Sequence, residues 1–239
     1  MGRARFRPVG AFRRERGVDM QHVHAGAAKP VQIIGRSSSH FTRVPLVFAH
    51  ELGVPFEFVP IHDMTVVDPA LYAGNPALKL PTLRRAGSLV FGAENICRAL
   101  ADDADAKLRI VWPEQLRTDV ARNAQELVWH GMAAQVQLVF GTVIAKLPAD
   151  NLYFTKSLQG FAGALGWLDE HLPRVLDTLP SPRDLSLLEV TLFCLVDHLS
   201  FRSTLPVEPY PALVRFAEEF ARRPSAARTP YRFDPPPDA

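Results

Sequence analysis

Three consecutive serines, Ser37, Ser38 and Ser39, stand directly before an apolar run at helical spacing that ends at His50-Glu-Leu-Gly53. A serine there can cap the helix, its oxygen accepting one of the backbone N–H groups that the first turn leaves unpaired. The positive end of the helix dipole also favours an anion at that point, by about 0.3–1 kcal/mol. Other reactive groups are placed less suggestively. Cys97 and Cys194 lie far apart in apolar helical patterns, without the paired spacing of a zinc ribbon or a disulfide scaffold, and read as buried reduced thiols. The eight histidines show neither i, i+4 helical pairing nor a cysteine at metal spacing, so no metal site is expected. Gly74 and Gly87 fall in turns rather than in a phosphate-binding loop. Trp129, Met132 and Gln135 share a face of a long helix, a stripe that suits either core or a pocket wall.

The elements that hold these residues change character once, between Asp102 and Pro113. From Val31 to about Ala101 short β-type runs alternate with helical ones. Val31-Gln-Ile-Ile34, a helix to Leu52 and Pro55-Phe-Glu-Phe-Val59 make a βαβ unit, which requires parallel strands. Thr82-Leu-Arg84 and Leu89-Val-Phe91 flank Arg85-Ala-Gly-Ser88 as a hairpin, and a helix carrying Ile96, Ala99 and Leu100 follows. The order βαβ–ββα is the thioredoxin-like arrangement. Beyond Pro113 the spacing predicts helices only, over Glu114 to about Lys146, 154–172, Ser186 to about Arg202 and 211–222. Ser186-Leu-Leu-Glu189 reads as a capping box. The expected fold class is an α/β thioredoxin-like domain followed by an all-α helical-bundle domain, with boundaries at 30–103 and 113–232 after a basic extension at 1–29.

The chain of 239 residues is long enough for two domains, and its 47% hydrophobic and 22% charged residues suit a folded protein. Its net charge of +2 is uneven. Arg3, Arg5, Arg7, Arg13, Arg14 and Arg16 outnumber Glu15 and Asp19, which leaves the body at about −2. Such an arm can touch phosphates, but it lacks stacking aromatics and no basic face continues into the body, so nucleic acid and membrane are not expected partners. It reads as a disordered, dispensable extension, and Met20 is a second possible start. No apolar segment follows the arginines as a signal sequence would, so a cytoplasmic location is expected. The tail from Asp234 to Ala239 reads as solvated.

On these residues the chain resembles the serine-type glutathione transferases. Gly35-Arg-Ser-Ser-Ser-His-Phe-Thr-Arg43 with the helix behind it is similar to their first strand–loop–helix. Asn75-Pro-Ala-Leu-Lys-Leu-Pro81 resembles their Asn-Pro-x-x-Lys-Val-Pro stretch, Ser186 to Phe193 their buried capping box, and Tyr210-Pro-Ala-Leu213 with Arg222 to Pro230 their closing helix. The four matches cover about 200 residues in order.

The resemblance implies a function and a site. A serine hydroxyl at the first helix would hydrogen-bond the glutathione sulfur and favour its thiolate. Ser39 falls on the serine of theta-like relatives and Ser38 nearer that of zeta-like ones, so Ser39 is the first candidate, with Ser38 and Ser37 behind it. Lys79, Leu80 and Pro81 would bind glutathione, with Pro81 cis and the Leu80 backbone pairing with the cysteinyl part. An acidic–serine pair would begin the third helix of the relatives. Here Gly92-Ala93 occupies that register and Glu94-Asn95 comes two residues later, so either Glu94 and Asn95 take the role or the contact is weakened. Trp129 and Met132 would line the pocket for a small hydrophobic electrophile. The implied activity is glutathione conjugation, as in detoxification, by a homodimer. The alternatives are a glutathione-dependent isomerase or dehalogenase, and a non-catalytic binding or assembly module.

Overall fold

The computed structural model describes residues 30–236; the arginine-rich arm, with the expectations attached to it, lies outside that range. Strand β1 (Val31–Gly35), helix α1 (His40–Leu52) and strand β2 (Phe56–Pro60) form the βαβ unit, with β1 and β2 parallel and Ile33 opposite Phe58. Strands β3 (Thr82–Arg85) and β4 (Ser88–Phe91) form the hairpin, and β3 runs antiparallel to β1. The sheet order is β2-β1-β3-β4. Helix α2 (Ala93–Asp103) closes this unit beside α1.

The helical part comprises α3 (Asp119–Leu138), α4 (Leu152–Thr178), α5 (Leu187–Arg202), α6 (Pro211–Phe220) and the short α7 (Pro224–Ala227). Helix α3 runs on into a π-helical segment at Val139–Ile144. The stretch Asp119–Ile144 is long and apolar enough to cross a membrane, yet it packs along α4 and α5 with Val128 and Met132 in the core. Helix α4 runs through Pro173 to Thr178, six residues past the end predicted at Leu172. Two short strands were not anticipated: β5 (Ile110–Val111) pairs in parallel with β6 (Leu185–Ser186) and ties the connecting segment to the start of α5.

One apolar core crosses the two parts. Ile33, Phe48, Leu83, Ile96 and Leu100 continue into Val128, Met132, Phe161, Leu165, Phe193 and Leu195. Helices α1 and α5 lie at its centre, and their apolar residues extend nearly all round the helix because each is covered on all sides. Their N-termini are set by serines: Ser186 Oγ accepts the Glu189 N–H at 3.4 Å. The other half of the predicted capping box is replaced, since the Glu189 carboxylate pairs with Arg183 at 2.8 and 2.9 Å.

Candidate functional site

The serine loop sits where β1 hands over to α1. Gly35 ends β1 so close to α1 that a Cβ there would collide with the Thr42 side chain, so only glycine lets the loop turn this tightly. The loop is then held by Ser39 N–H to Arg36 C=O at 3.1 Å and Arg36 N–H to Thr42 Oγ1 at 3.3 Å. Arg43 anchors α1 from behind. Its buried guanidinium lies 4.6 Å from the Phe193 ring centre and 4.3 Å from that of Tyr231, and pairs with Asp197.

The three serines have different partners. Ser39 is the N-cap of α1, and its oxygen accepts the Thr42 N–H at 3.3 Å. An oxygen used this way leaves the hydroxyl proton free to donate, and Ser39 is only partly buried. Ser37 donates its hydroxyl to Asp234 Oδ1 at 2.5 Å and its backbone N–H to Asp234 Oδ2 at 2.9 Å. Asp234, the first residue of the tail predicted to be solvated, is therefore held against the loop, because its carboxylate finds two donors there, whereas Pro235 and Pro236 are exposed. Ser38 is almost fully buried, and its carbonyl faces His198 Nε2 at 3.0 Å.

Beneath the loop lies a histidine pair. His40 Nδ1 and His198 Nδ1 are 2.9 Å apart, and His40 Nε2 faces the Met132 carbonyl at 3.1 Å. Each Nε2 must donate to its carbonyl, so a hydrogen bond between the two Nδ1 atoms needs one further proton. Burial opposes that proton: it holds His198 down to about 4 and His40 well below 6.5. Nearby, Trp129 stacks on Phe41 at 5.8 Å and is partly exposed, whereas the Met132 side chain is fully enclosed in the core.

The Leu80–Pro81 bond is cis. Leu80 is half-buried against Ile34, Ile61 and Ala73, ahead of β3, and its backbone N–H has no partner among the described residues. Asn75 shapes this loop by donating to the Lys79 carbonyl at 2.9 Å, and the Lys79 side chain is exposed. Across the sheet, α2 begins at Ala93 with Gly92 as its N-cap, at φ 87° and without a side-chain cap. Glu94 is drawn along the helix to Arg98 at 2.8 Å, and Arg98 also binds Glu114 at 2.6 Å. Asn95 Nδ2 donates to the Phe91 carbonyl at 3.2 Å.

Residues 38–103 match the model of the glutathione S-transferase N-terminal domain. A glutathione S-transferase of Methylobacterium radiotolerans, solved in complex with glutathione sulfonate, superposes with a TM-score of 0.65 at 23% identity, over 87% of this chain and 98% of that one. For a glutathione S-transferase of Methylobacillus flagellatus with GSH bound, the TM-score is 0.66 at 20% identity, over 84% and 100%. A poplar glutathione transferase gives 0.61 at 20% identity, over 84% and 97%. This chain has the glutathione transferase fold. No curated protein matches it.

In this transferase fold the serine loop, the Leu80–Pro81 turn and the start of α2 all lie around the end of the sheet where β1 meets α1. Ser37, Ser38, Ser39, Leu80 and Pro81 thus gather at one site, with the N-terminus of α2 at its edge. Glu94 and Asn95 stand within the first turn of α2 but are engaged with Arg98 and Phe91. Three residues at the site were not anticipated: His40, His198 and Asp234. No short-range pattern could mark them, since the pair is separated by 158 positions and Asp234 from Ser37 by 197. Among the described residues no group of three or more His, Cys, Asp or Glu side chains is placed to hold a metal ion. Burial pushes the Cys194 thiol up to about 12 and raises Cys97 well above its ordinary value, so both remain unreactive thiols.

Proposed function

We propose that this protein conjugates glutathione to a small hydrophobic electrophile, with the Ser39 hydroxyl donating to the glutathione thiolate. The observation that carries this reading is the division among the serines. Ser37 has its proton engaged by Asp234, Ser38 is enclosed, and Ser39 is partly exposed with its oxygen capping α1 and its proton free. A hydroxyl donor and a helix N-terminus each stabilise an anion, and a thiolate attacks carbon where the thiol does not. The sulfur forms the new bond, the leaving group departs with the electron pair, and the thiol proton passes to solvent. The unpaired N–H of Leu80 supports the reading, because an extended peptide such as the cysteinyl part of glutathione can add to it as a strand would. Of the two proposed pocket residues, Trp129, partly exposed against Phe41, is the one a co-substrate can touch, since the Met132 side chain is enclosed in the core. A cytoplasmic homodimer with a detoxifying role belongs to the same reading, and light scattering at micromolar concentration tests the dimer. A conjugation assay with an activated aryl halide, comparing wild type with Ser39→Gly, tests the activity.

A second reading is favoured by the start of α2. Gly92 and Ala93 offer no side-chain donor or carboxylate to the γ-glutamyl end of glutathione, and Glu94 is held by Arg98. In a non-catalytic binding or assembly module the same fold would keep the serine cap and dispense with ligand recognition. Absence of glutathione binding together with absence of conjugation would select it.

A further inference from the structure

Helix α5 turns one face towards the serine loop. His198 on that face meets the Ser38 carbonyl, and Arg202 follows four residues later, one turn further along the same side. Arg202 is half-buried, its Nε is shut off from solvent without a hydrogen-bond partner, and its guanidinium makes no ion pair among the described residues. Its close neighbours are aromatic, with the Phe201 ring centre at 5.1 Å and that of Phe233 at 5.0 Å. A second guanidinium belongs to the serine loop itself, which His198 and, next to Phe233, Asp234 contact. Arg36 immediately precedes Ser37, and its Nη1 donates to the His62 carbonyl at 2.9 Å while no carboxylate pairs with it among the described residues.

Arginine in the last turn of a helix is favoured by the helix dipole, and stacking on phenylalanine is favourable too. Those effects account for a solvated arginine. They do not account for a half-buried guanidinium with no carboxylate paired to it among the described residues, a costly arrangement that an anionic ligand would relieve. The acidic residue beside Phe233, Asp234, is engaged by Ser37. Burial and then the nearby Arg36 lower the Arg202 pKa, the direction expected of a cation lacking its counter-ion.

We propose that Arg202 and Arg36 form a carboxylate site beside the serine loop, and that the co-substrate is a small organic acid whose apolar body lies against Phe201 and Phe233. The guanidinium fork of Arg202 takes the carboxylate, Arg36 adds charge, and the aromatic rings exclude water from the contact. This assignment refines the reading of Ser39 as a thiolate site, but its test does not require that reading to hold.

The probes are cinnamate and its neutral isostere cinnamamide, titrated calorimetrically into the full chain, with glutathione titrated separately. Wild type is expected to bind cinnamate about ten-fold or more tighter than cinnamamide, as for a charge-assisted pair. Arg202→Met, which keeps the apolar stem, is expected to bind both alike, and Arg36→Gln to lose part of the preference. Arg36 lies in a surface loop, so that variant decides the matter if Arg202→Met fails to fold. Equal binding of the two probes by wild type, no binding of either, or a preference unchanged in the folded variants overturns the proposal. Cinnamate preference without glutathione binding leaves the carboxylate site standing and removes the glutathione reading.

Discussion

The Asp234 carboxylate accepts both the hydroxyl and the backbone N–H of Ser37, at 2.5 and 2.9 Å, and so ties the end of the described chain to the loop between β1 and α1. This contact takes Ser37 out of contention as a donor to a ligand and leaves that task to Ser39. Removing the carboxylate in Asp234→Ala breaks two charge-assisted hydrogen bonds in a half-buried place. A loss of about 1–2 kcal/mol in stability is expected, and most of it should vanish when Ser37→Ala is already present. Chemical denaturation of the two single variants and the double variant measures the coupling. Additive losses would mean that the two residues do not interact in solution.

Ser39 has two roles that substitution can separate. Glycine caps a helix nearly as well as serine, within a few tenths of a kcal/mol, but has no hydroxyl. Ser39→Gly should therefore melt close to wild type while conjugation falls roughly 10- to 1000-fold, the usual result of removing one donor to an anion. Ser37→Ala should keep most of the activity. Loss of activity in Ser38→Ala with Ser39→Gly fully active would move the role by one residue.

At the start of α2, Glu94 is paired with Arg98 in place of any ligand. Glu94→Gln should leave glutathione affinity unchanged. Wild-type affinity should itself be weak, around millimolar, because no carboxylate here meets the ligand's ammonium group. Calorimetry on both proteins checks this. A loss of about ten-fold or more in Glu94→Gln would show that Glu94 leaves Arg98 to meet the ligand.

Acid should destabilise the protein through the histidine pair. Burial, assisted by Arg202 and Arg43, holds His198 down to about 4, and burial holds His40 well below 6.5. In the unfolded chain both titrate near 6.5. Between these values the unfolded state binds protons that the folded state does not, so stability present above pH 6.5 is lost as the pH falls towards 4. The slope is about 1.4 kcal/mol per pH unit for each such proton. Melting temperature from pH 7 to 5 should fall more steeply in wild type than in His198→Asn. Parallel curves would mean that unfolding releases no proton-binding site at His198, and would contradict the neutral buried pair.

Local chemistry explains what could be read from the sequence. The strands β1 to β4, the serine cap of α1 and the Leu80–Pro81 turn are written in short stretches of apolar alternation, a capping serine and a proline. The end of α4 was misjudged because Pro173 looks like a helix breaker, yet the helix continues through it to Thr178. Strands β5 and β6 are two residues each, too short for a period to show. The deeper shortfall lies in the site. His40 with His198 and Ser37 with Asp234 are brought together only when α5 and the segment after α7 fold back on α1. Glu94 illustrates the converse: its type and position suited a ligand, and only the placement of Arg98 one turn along shows where its charge is used.

The central claim, that Ser39 holds glutathione as its thiolate, is tested most directly by the pH dependence of kcat for conjugation at saturating glutathione and electrophile, which reports the ionisation of the bound thiol. The account predicts that the bound thiol in wild type titrates about one unit or more below free glutathione, and that Ser39→Gly returns it most of the way. A bound thiol that titrates as it does in water, or a lowered value that survives Ser39→Gly, would contradict it.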